Sequence, residues 1–200
     1  MKIPNPIKDL ADALSKLPGI GPRQAIRIAY YLAGRGRGAV LGIARHLAAF
    51  TGLTTCPQCF YPHDGASELC PICADPERDR RIIAVVEKET DVASLETSGA
   101  FNGRYFILGE IRKNGALGEE EKTRLASLKN NITKDLGGEA DEILIGFDHT
   151  AYGDMGGEIV IKELSPYAKR ITRLGRGIPT GGEVEFADPE TLAEAIKRRG

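Results

Sequence analysis

Four cysteines stand in the segment "CPQCFYPHDGASELCPIC" as Cys56-x2-Cys59 and, ten residues on, Cys70-x2-Cys73. Each pair can turn two sulfurs toward a common ion, and four thiolates complete the tetrahedral shell that zinc prefers. Every position of such a shell is filled by protein, so the expected zinc is structural and not catalytic. A redox CxxC and a pair of disulfides are the competing readings of the same spacing. His63 lies inside the loop and, with four sulfurs available, is predicted to be a surface residue. A segment this poor in apolar residues needs its ion in order to fold.

A second group of residues is carboxylic. Glu87 closes the apolar run "RIIAVVE", and Asp148 and Asp154 lie in "GFDHTAYGD", directly after the run "EILIGF". Acids at the ends of strands in an open α/β sheet sit where ligands usually bind. Oxygen ligands of this kind can hold magnesium. Phosphoryl transfer on DNA commonly uses metal ions clamped at the attacking and leaving oxygens. Thr150 and Tyr152 supply no charge, so Glu87, Asp148 and Asp154 amount to one loosely held magnesium and not to a two-metal site. A magnesium-dependent nuclease is the enzyme reading of this loop.

A third group could meet a polyanion. "LPGIGPRQA", Leu17 to Ala25, stands between two helical stretches in the form of a helix-hairpin-helix element. Gly19 and Gly21 permit backbone conformations that a Cβ resists, so the turn can aim amides at a phosphate beside a helix N-terminus. Arg23 and Arg27 are four apart on the following helix and share a face; Arg35 and Arg37 lie just beyond. The plain alternative is a tight turn that lets two helices cross, with the arginines in solvent. Charge favours the nucleic-acid reading. Residues 1–55 carry eight Lys/Arg against Asp9 and Asp12, a local charge of +6 in a chain whose net charge is −1. Such asymmetry is expected where one end faces a polyanion.

The elements that must position these groups follow from periodicity. Asn5 is the expected N-cap of a helix with Pro6 in its first turn, and Ile7, Leu10, Ala11, Leu14 and Leu17 recur at helical spacing. Pro22 opens a second helix, with Ile26, Ala29, Tyr30 and Ala33 on one face. "GRGRG" interrupts, and Val40, Leu41, Ala44, Leu47 and Ala48 mark a third. Strands are predicted at 81–87, 105–109, 142–147 and 170–175, with helices near 90–98, 118–136 and 155–168. This alternation predicts a parallel, Rossmann-like sheet. The stretch "GRGIPTGGEVEFADPETLAEAIKRR" is read as a glycine-rich loop, a short alternating strand Glu183 to Phe186, and a helix capped by Asp188 with basic residues in its last turn. Arg173 and Arg176 beside those glycines are compatible with phosphate binding; the other reading is a loop and strand that meet another subunit. No Walker A pattern is present, so nothing supports ATP hydrolysis. No apolar run is long enough to span a bilayer and no signal-peptide core is evident, so the expected location is the cytoplasm, where cysteines stay reduced.

In this order, the hairpin motif, the four-cysteine module, the strand ending "VVE" and the glycine-rich tail resemble the RecR family of bacterial recombination mediators, over about residues 5–199. The resemblance implies an α/β, multi-part chain. A helix-hairpin-helix DNA-binding region is expected at 1–54, a four-cysteine zinc finger at 55–76, a Toprim domain at 79–175, and an oligomerisation tail at 176–200. It implies a non-enzymatic mediator in DNA repair that forms ring-like or clamp-like homo-oligomers (dimer or tetramer). Such a mediator acts with RecO and RecF and helps load RecA on gapped DNA. Catalytic Toprim enzymes carry an acid-x-acid pair followed by "EGE". Here Asp148 fills the first acidic position, Thr150 replaces the second, Tyr152 replaces the first glutamate and Asp154 the second. RecR-type chains usually read "NPTVEGE" at this place, so the loop departs from them too. It is read as vestigial, retained for folding or partner docking.

Overall fold

The structure is a computed structural model and describes residues 3–197. Lys2, and the Arg198 and Arg199 expected at the end of the last helix, lie outside the described residues. The chain divides into two compact units on either side of the Leu53–Thr54 bond.

The first unit is helical: α1 (Asn5–Leu14), α2 (Pro22–Gly34) and α3 (Gly36–Ala49). Pro4, not Asn5, is the N-cap of α1: its carbonyl accepts from the amides of Ile7 and Lys8 at 3.0 and 3.1 Å. The fixed φ of proline already suits this corner, which leaves the Asn5 side chain no capping role. The core of the unit is small. Ala11, Ala25 and Ala29 are buried, with Ile7, Leu14, Ile20 and Ile26 packed around them. The small alanines let α1 and α2 approach closely. Tyr30, expected on the packed face of α2, is instead exposed, and α3 buries none of its residues.

The second unit begins with the cysteine segment. A short antiparallel pair, β1 (Thr54–Thr55) and β2 (Pro62–His63), brackets the first cysteine pair, and one helical turn, α4 (Pro71–Ala74), follows Cys70. The pairing of His63 with Thr54 turns its imidazole inward. It is buried and not on the surface, and its Nε2 has no hydrogen-bond partner.

Then comes the alternation that the sequence predicts: β3 (Asp79–Val86), α5 (Glu89–Ser98), β4 (Gly103–Ile107), α6 (Glu119–Asp135), β5 (Glu142–Gly146), α7 (Ala151–Leu164) and β6 (Ile171–Arg173). The four strands form a parallel sheet in the order β4-β3-β5-β6. Side chains alternate across it, as strand geometry requires. Ile83, Val85, Phe106, Ile143 and Ile145 face Leu125, Leu128 and Ile132 of α6 and Val160 and Leu164 of α7. Ala84, Val86, Tyr105 and Ile107 face Val92 of α5 and, partly buried, Tyr61 and Ile72 of the cysteine segment. β4 is an edge strand, and its outer side is met by that segment: the Ile107 amide donates to the Cys59 carbonyl at 2.9 Å. The Phe60 ring stands edge-on to Phe106 with centroids 5.4 Å apart.

Beyond β6 the described residues form no further strand. Val184–Phe186, expected within a strand from Glu183, is a single 3-10 turn, with Val184 and Phe186 largely exposed. Apolar alternation alone does not make a strand where no sheet edge within this chain receives it. The last helix, α8 (Pro189–Lys197), starts as expected: Asp188 accepts from the Thr191 amide at 2.9 Å.

Candidate nucleic-acid, metal and Toprim sites

The hairpin between α1 and α2 depends on one left-handed residue, Gly19, with φ +77°. Gly21 is different: it is extended, with φ −75°, and serves as the N-cap of α2. Its backbone therefore makes no demand that only glycine can meet. Neither amide donates a hydrogen bond among the described residues. Both residues lie just before the first turn of α2, where partial positive charge gathers. Arg23 and Arg27 are exposed on α2, and neither has an ionic or hydrogen-bonded partner. Arg37 stands equally free at the start of α3. Arg35 is held: its Nε donates to the Tyr31 hydroxyl at 2.8 Å and its guanidinium lies 4.8 Å from that ring. Sequence reading missed this Tyr31–Arg35 pair, although i,i+4 spacing on a helix could have revealed it. Every ion pair among the described residues falls in the second unit. The described cations of the first unit are left without acidic partners.

The four cysteines converge. Their sulfurs all lie within 4.8 Å of one another, and all four residues are buried. Cys59 Sγ and Cys70 Sγ are 3.5 Å apart, close to the ~3.8 Å edge of a tetrahedron with zinc–sulfur bonds of about 2.3 Å. Backbone amides point at sulfur from Tyr61 to Cys59 and from Cys73 to Cys70, each at 3.4 Å. An amide aimed at sulfur favours the thiolate, the form a metal takes. Hydrogen bonds from Cys59 and Cys73 pull the Cys70 thiol down, and the Cys70 bond drives the Cys59 thiol up. Four buried sulfurs cannot all be anionic without a cation among them. The donor set, its spacing and its amides fit a tetrahedral metal ion. Two details hold the cage to the sheet: Arg104 donates to the Cys73 carbonyl and to the Gln58 side chain, both at 3.1 Å.

The carboxylates of the sheet end behave otherwise. Glu87 is buried, and each of its oxygens accepts a backbone amide, Asp148 at 3.1 Å and Ile111 at 3.2 Å. It fastens two loops together. Asp148 meets Lys88 Nζ at 3.3 Å, and this contact raises the lysine pKa. Asp154 is claimed by two guanidiniums, that of Arg173 at 3.3 Å and that of Arg176. Thr150 caps α7, accepting from the Gly153 amide at 3.0 Å. A Cβ on Gly153 would collide with the Asp148 carbonyl, so only glycine lets the first turn of α7 close over the loop. Among the described residues the cysteines are the sole group placed to share a metal. Glu87, Asp148 and Asp154, grouped by sequence reading, are not brought to a common point. Glu87 and Asp148 line a cleft of about 150 Å³ that Lys88 and Lys113 also line, and Asp154 faces elsewhere, toward Arg173 and Arg176. Arg173 and Arg176, weighed above as phosphate ligands, are occupied by acids of this chain.

Three family models match in chain order: the RecR helix-hairpin-helix over residues 7–51, a Toprim domain over 81–175 and the RecR C-terminal region over 177–199. A recombination protein RecR from Streptococcus equi subsp. equi is 37% identical over 100% of this chain and 98% of its own length. Its counterpart from Alcanivorax borkumensis is 36% identical over 96% of this chain and 94% of its own length, and that from Frankia alni 35% identical over 96% and 95%. The chain belongs to the RecR family. Among RecR relatives, then, this chain has a helical hairpin unit, a buried four-cysteine cluster and a parallel Toprim sheet. None of its described helices is long and apolar enough to cross a membrane.

Proposed function

We propose that this protein is a non-enzymatic, DNA-binding mediator of recombinational repair. The observation that carries the reading is the contrast in how charge is spent. In the helical unit, Arg23, Arg27 and Arg37 have no acid to neutralise them; in the Toprim unit, the acids that would hold catalytic metal are bound to lysine, arginine or backbone amides. Free cations beside a hairpin with open amides suit a sugar–phosphate chain, and contacts of this kind position a protein without reading sequence. Gly19, Gly21, Arg23 and Arg27 form the primary contact, with Arg35 and Arg37 at its margin. One such unit offers few contacts, and avidity across subunits supplies the rest. The exposed apolar residues of α3 and its exit, Val40, Leu41, Leu47 and Phe50, support pairing of these units into a dimer or tetramer. Zinc, when held by Cys56, Cys59, Cys70 and Cys73, supplies the cross-link that fixes the small module. Membership of the RecR family supports RecO and RecF as its partners, RecA loading on gapped DNA as its task and the cytoplasm as its location.

The test is DNA binding by the full chain and by Arg23→Glu/Arg27→Glu at several salt concentrations, with mass measured in solution. Each phosphate contact contributes about −0.9 to the slope of log K against log salt, so losing two should flatten the slope by about 2. Unchanged affinity and slope in the double variant would remove the hairpin from the interface. The enzyme reading is checked alongside: supercoiled plasmid with magnesium should stay intact, and chelator-sensitive nicking that disappears in Asp148→Ala would reverse the conclusion.

A further inference from the structure

Past β6 the backbone hydrogen bonds found among the described residues no longer return to the sheet. The last bond to the sheet runs from the Leu174 amide to the Ile145 carbonyl at 3.2 Å; those that follow, such as Gly182 to Pro179 and Ala187 to Val184, are local. α8 buries none of its described residues. A helix of nine residues does not persist alone in water, so something must dock it.

Arg176 is placed to do this. Its guanidinium reaches three elements at once: Nε donates to His149 Nδ1 at 3.1 Å, Nη1 to Glu190 Oε1 at 3.2 Å, and Nη2 to Asp154 Oδ1. His149 belongs to the loop after β5, Asp154 to the first turn of α7 and Glu190 to the first turn of α8. Arg173, on β6, braces the same carboxylate and also meets Glu158 at 2.9 Å. The Arg176 side chain is only 22% exposed, whereas Glu190 is 78% exposed. The firm half of the junction therefore lies on the Toprim body and the weak half on the tail.

We infer that Asp154 and Arg176 form a latch that docks the C-terminal arm, residues 177–197, on the Toprim body, and that the arm comes away as a unit when the latch opens. Asp154 is thus a positioning residue: a guanidinium takes the charge that sequence reading assigned to magnesium. Partly buried Arg–carboxylate contacts are charge-assisted and directional. They are also single contacts with little apolar area behind them, and a segment so held belongs to the low-stability end of local opening. The inference does not depend on DNA binding or on what the released arm meets.

Hydrogen exchange on the intact full-length protein tests it. In Asp154→Asn and in Arg176→Gln the amides of α8 should exchange about tenfold faster, with peptides from β3 and β5 unchanged. The double variant should exchange no faster than Arg176→Gln alone, because that substitution already removes the Asp154 contact together with those to His149 and Glu190. Equal α8 exchange in wild type and both single variants would overturn the latch, and so would strictly multiplicative effects in the double variant. If either substitution loosens the sheet as well, Glu190→Gln decides, because it cuts only the tail side. It should accelerate α8 alone, and no effect there would count against the inference. Millimolar magnesium should leave wild-type α8 exchange unchanged; acceleration would mean that metal competes for Asp154 and would return that residue to metal binding.

Discussion

Single residues in this chain derive their roles from their partners more than from their types. Glu87 looks like a metal ligand by position, yet both of its oxygens are engaged by the amides of Asp148 and Ile111. A buried carboxylate with two backbone donors fixes the loops that meet it, and hydrogen bonds to a charged group contribute about 1.5–3 kcal/mol each. Glu87→Gln keeps the size but turns one acceptor into a donor facing an amide. It is expected to lower the unfolding free energy by about 2 kcal/mol in metal-free buffer, read by urea denaturation. An unchanged midpoint would mean that the carboxylate has no structural task. Phe60 illustrates a different balance. It is the one described non-glycine residue with positive φ, at 65°, a conformation that costs about 1–2 kcal/mol. Its edge-on contact with Phe106 offsets that strain.

At the scale of elements, an ion pair ties the start of β3 to α5. Arg78 donates through both terminal nitrogens to Glu96 and at 3.1 Å to the Gly103 carbonyl. The arginine holds the Glu96 carboxyl below the usual glutamate range. A carboxyl depressed in the folded state stabilises fully above its unfolded pKa, and that contribution is lost as pH falls through the folded value. Glu96→Gln should therefore cost about 1 kcal/mol near neutrality, given partial exposure. The gap to wild type should close once the pH drops below the folded carboxyl pKa, and a gap independent of pH would exclude the ion pair as its source. Much at this scale was legible in the sequence. The β-branched runs at 81–87 and 142–147 are buried on both faces, and their shortness and β-branched composition, not any period, mark them as strands. The cysteine spacing was equally plain, because knuckle chemistry is local. What escaped was non-local. His63 turned inward because β1 and β2 pair, and Asp154 met Arg176 because the sheet brought two distant loops together. Glu183 to Phe186 alternated like a strand without a neighbour to pair with.

For the molecule as a whole, the two units divide the labour. One carries unpaired cations on a very small core; the other carries the large core, the ion pairs and the sulfur cluster. A chain with net charge −1 thus carries a helical unit whose exposed Arg23, Arg27 and Arg37 have no acidic partner. Local charge, not the total, steers association with a polyanion. Sequence made that asymmetry visible by counting alone, but the absence of ion pairs among the described residues of the first unit needed the structure.

The cysteine module also shields the rim of β4, where the Ile107 amide is taken by Cys59. An uncovered rim of this kind recruits strands from other molecules. A strong chelator, by removing the metal that the four cysteines are proposed to hold, should therefore produce turbidity that grows with protein concentration, before the far-ultraviolet helix signal is lost. A clear solution that simply melts at lower temperature would show that the rim has another guard.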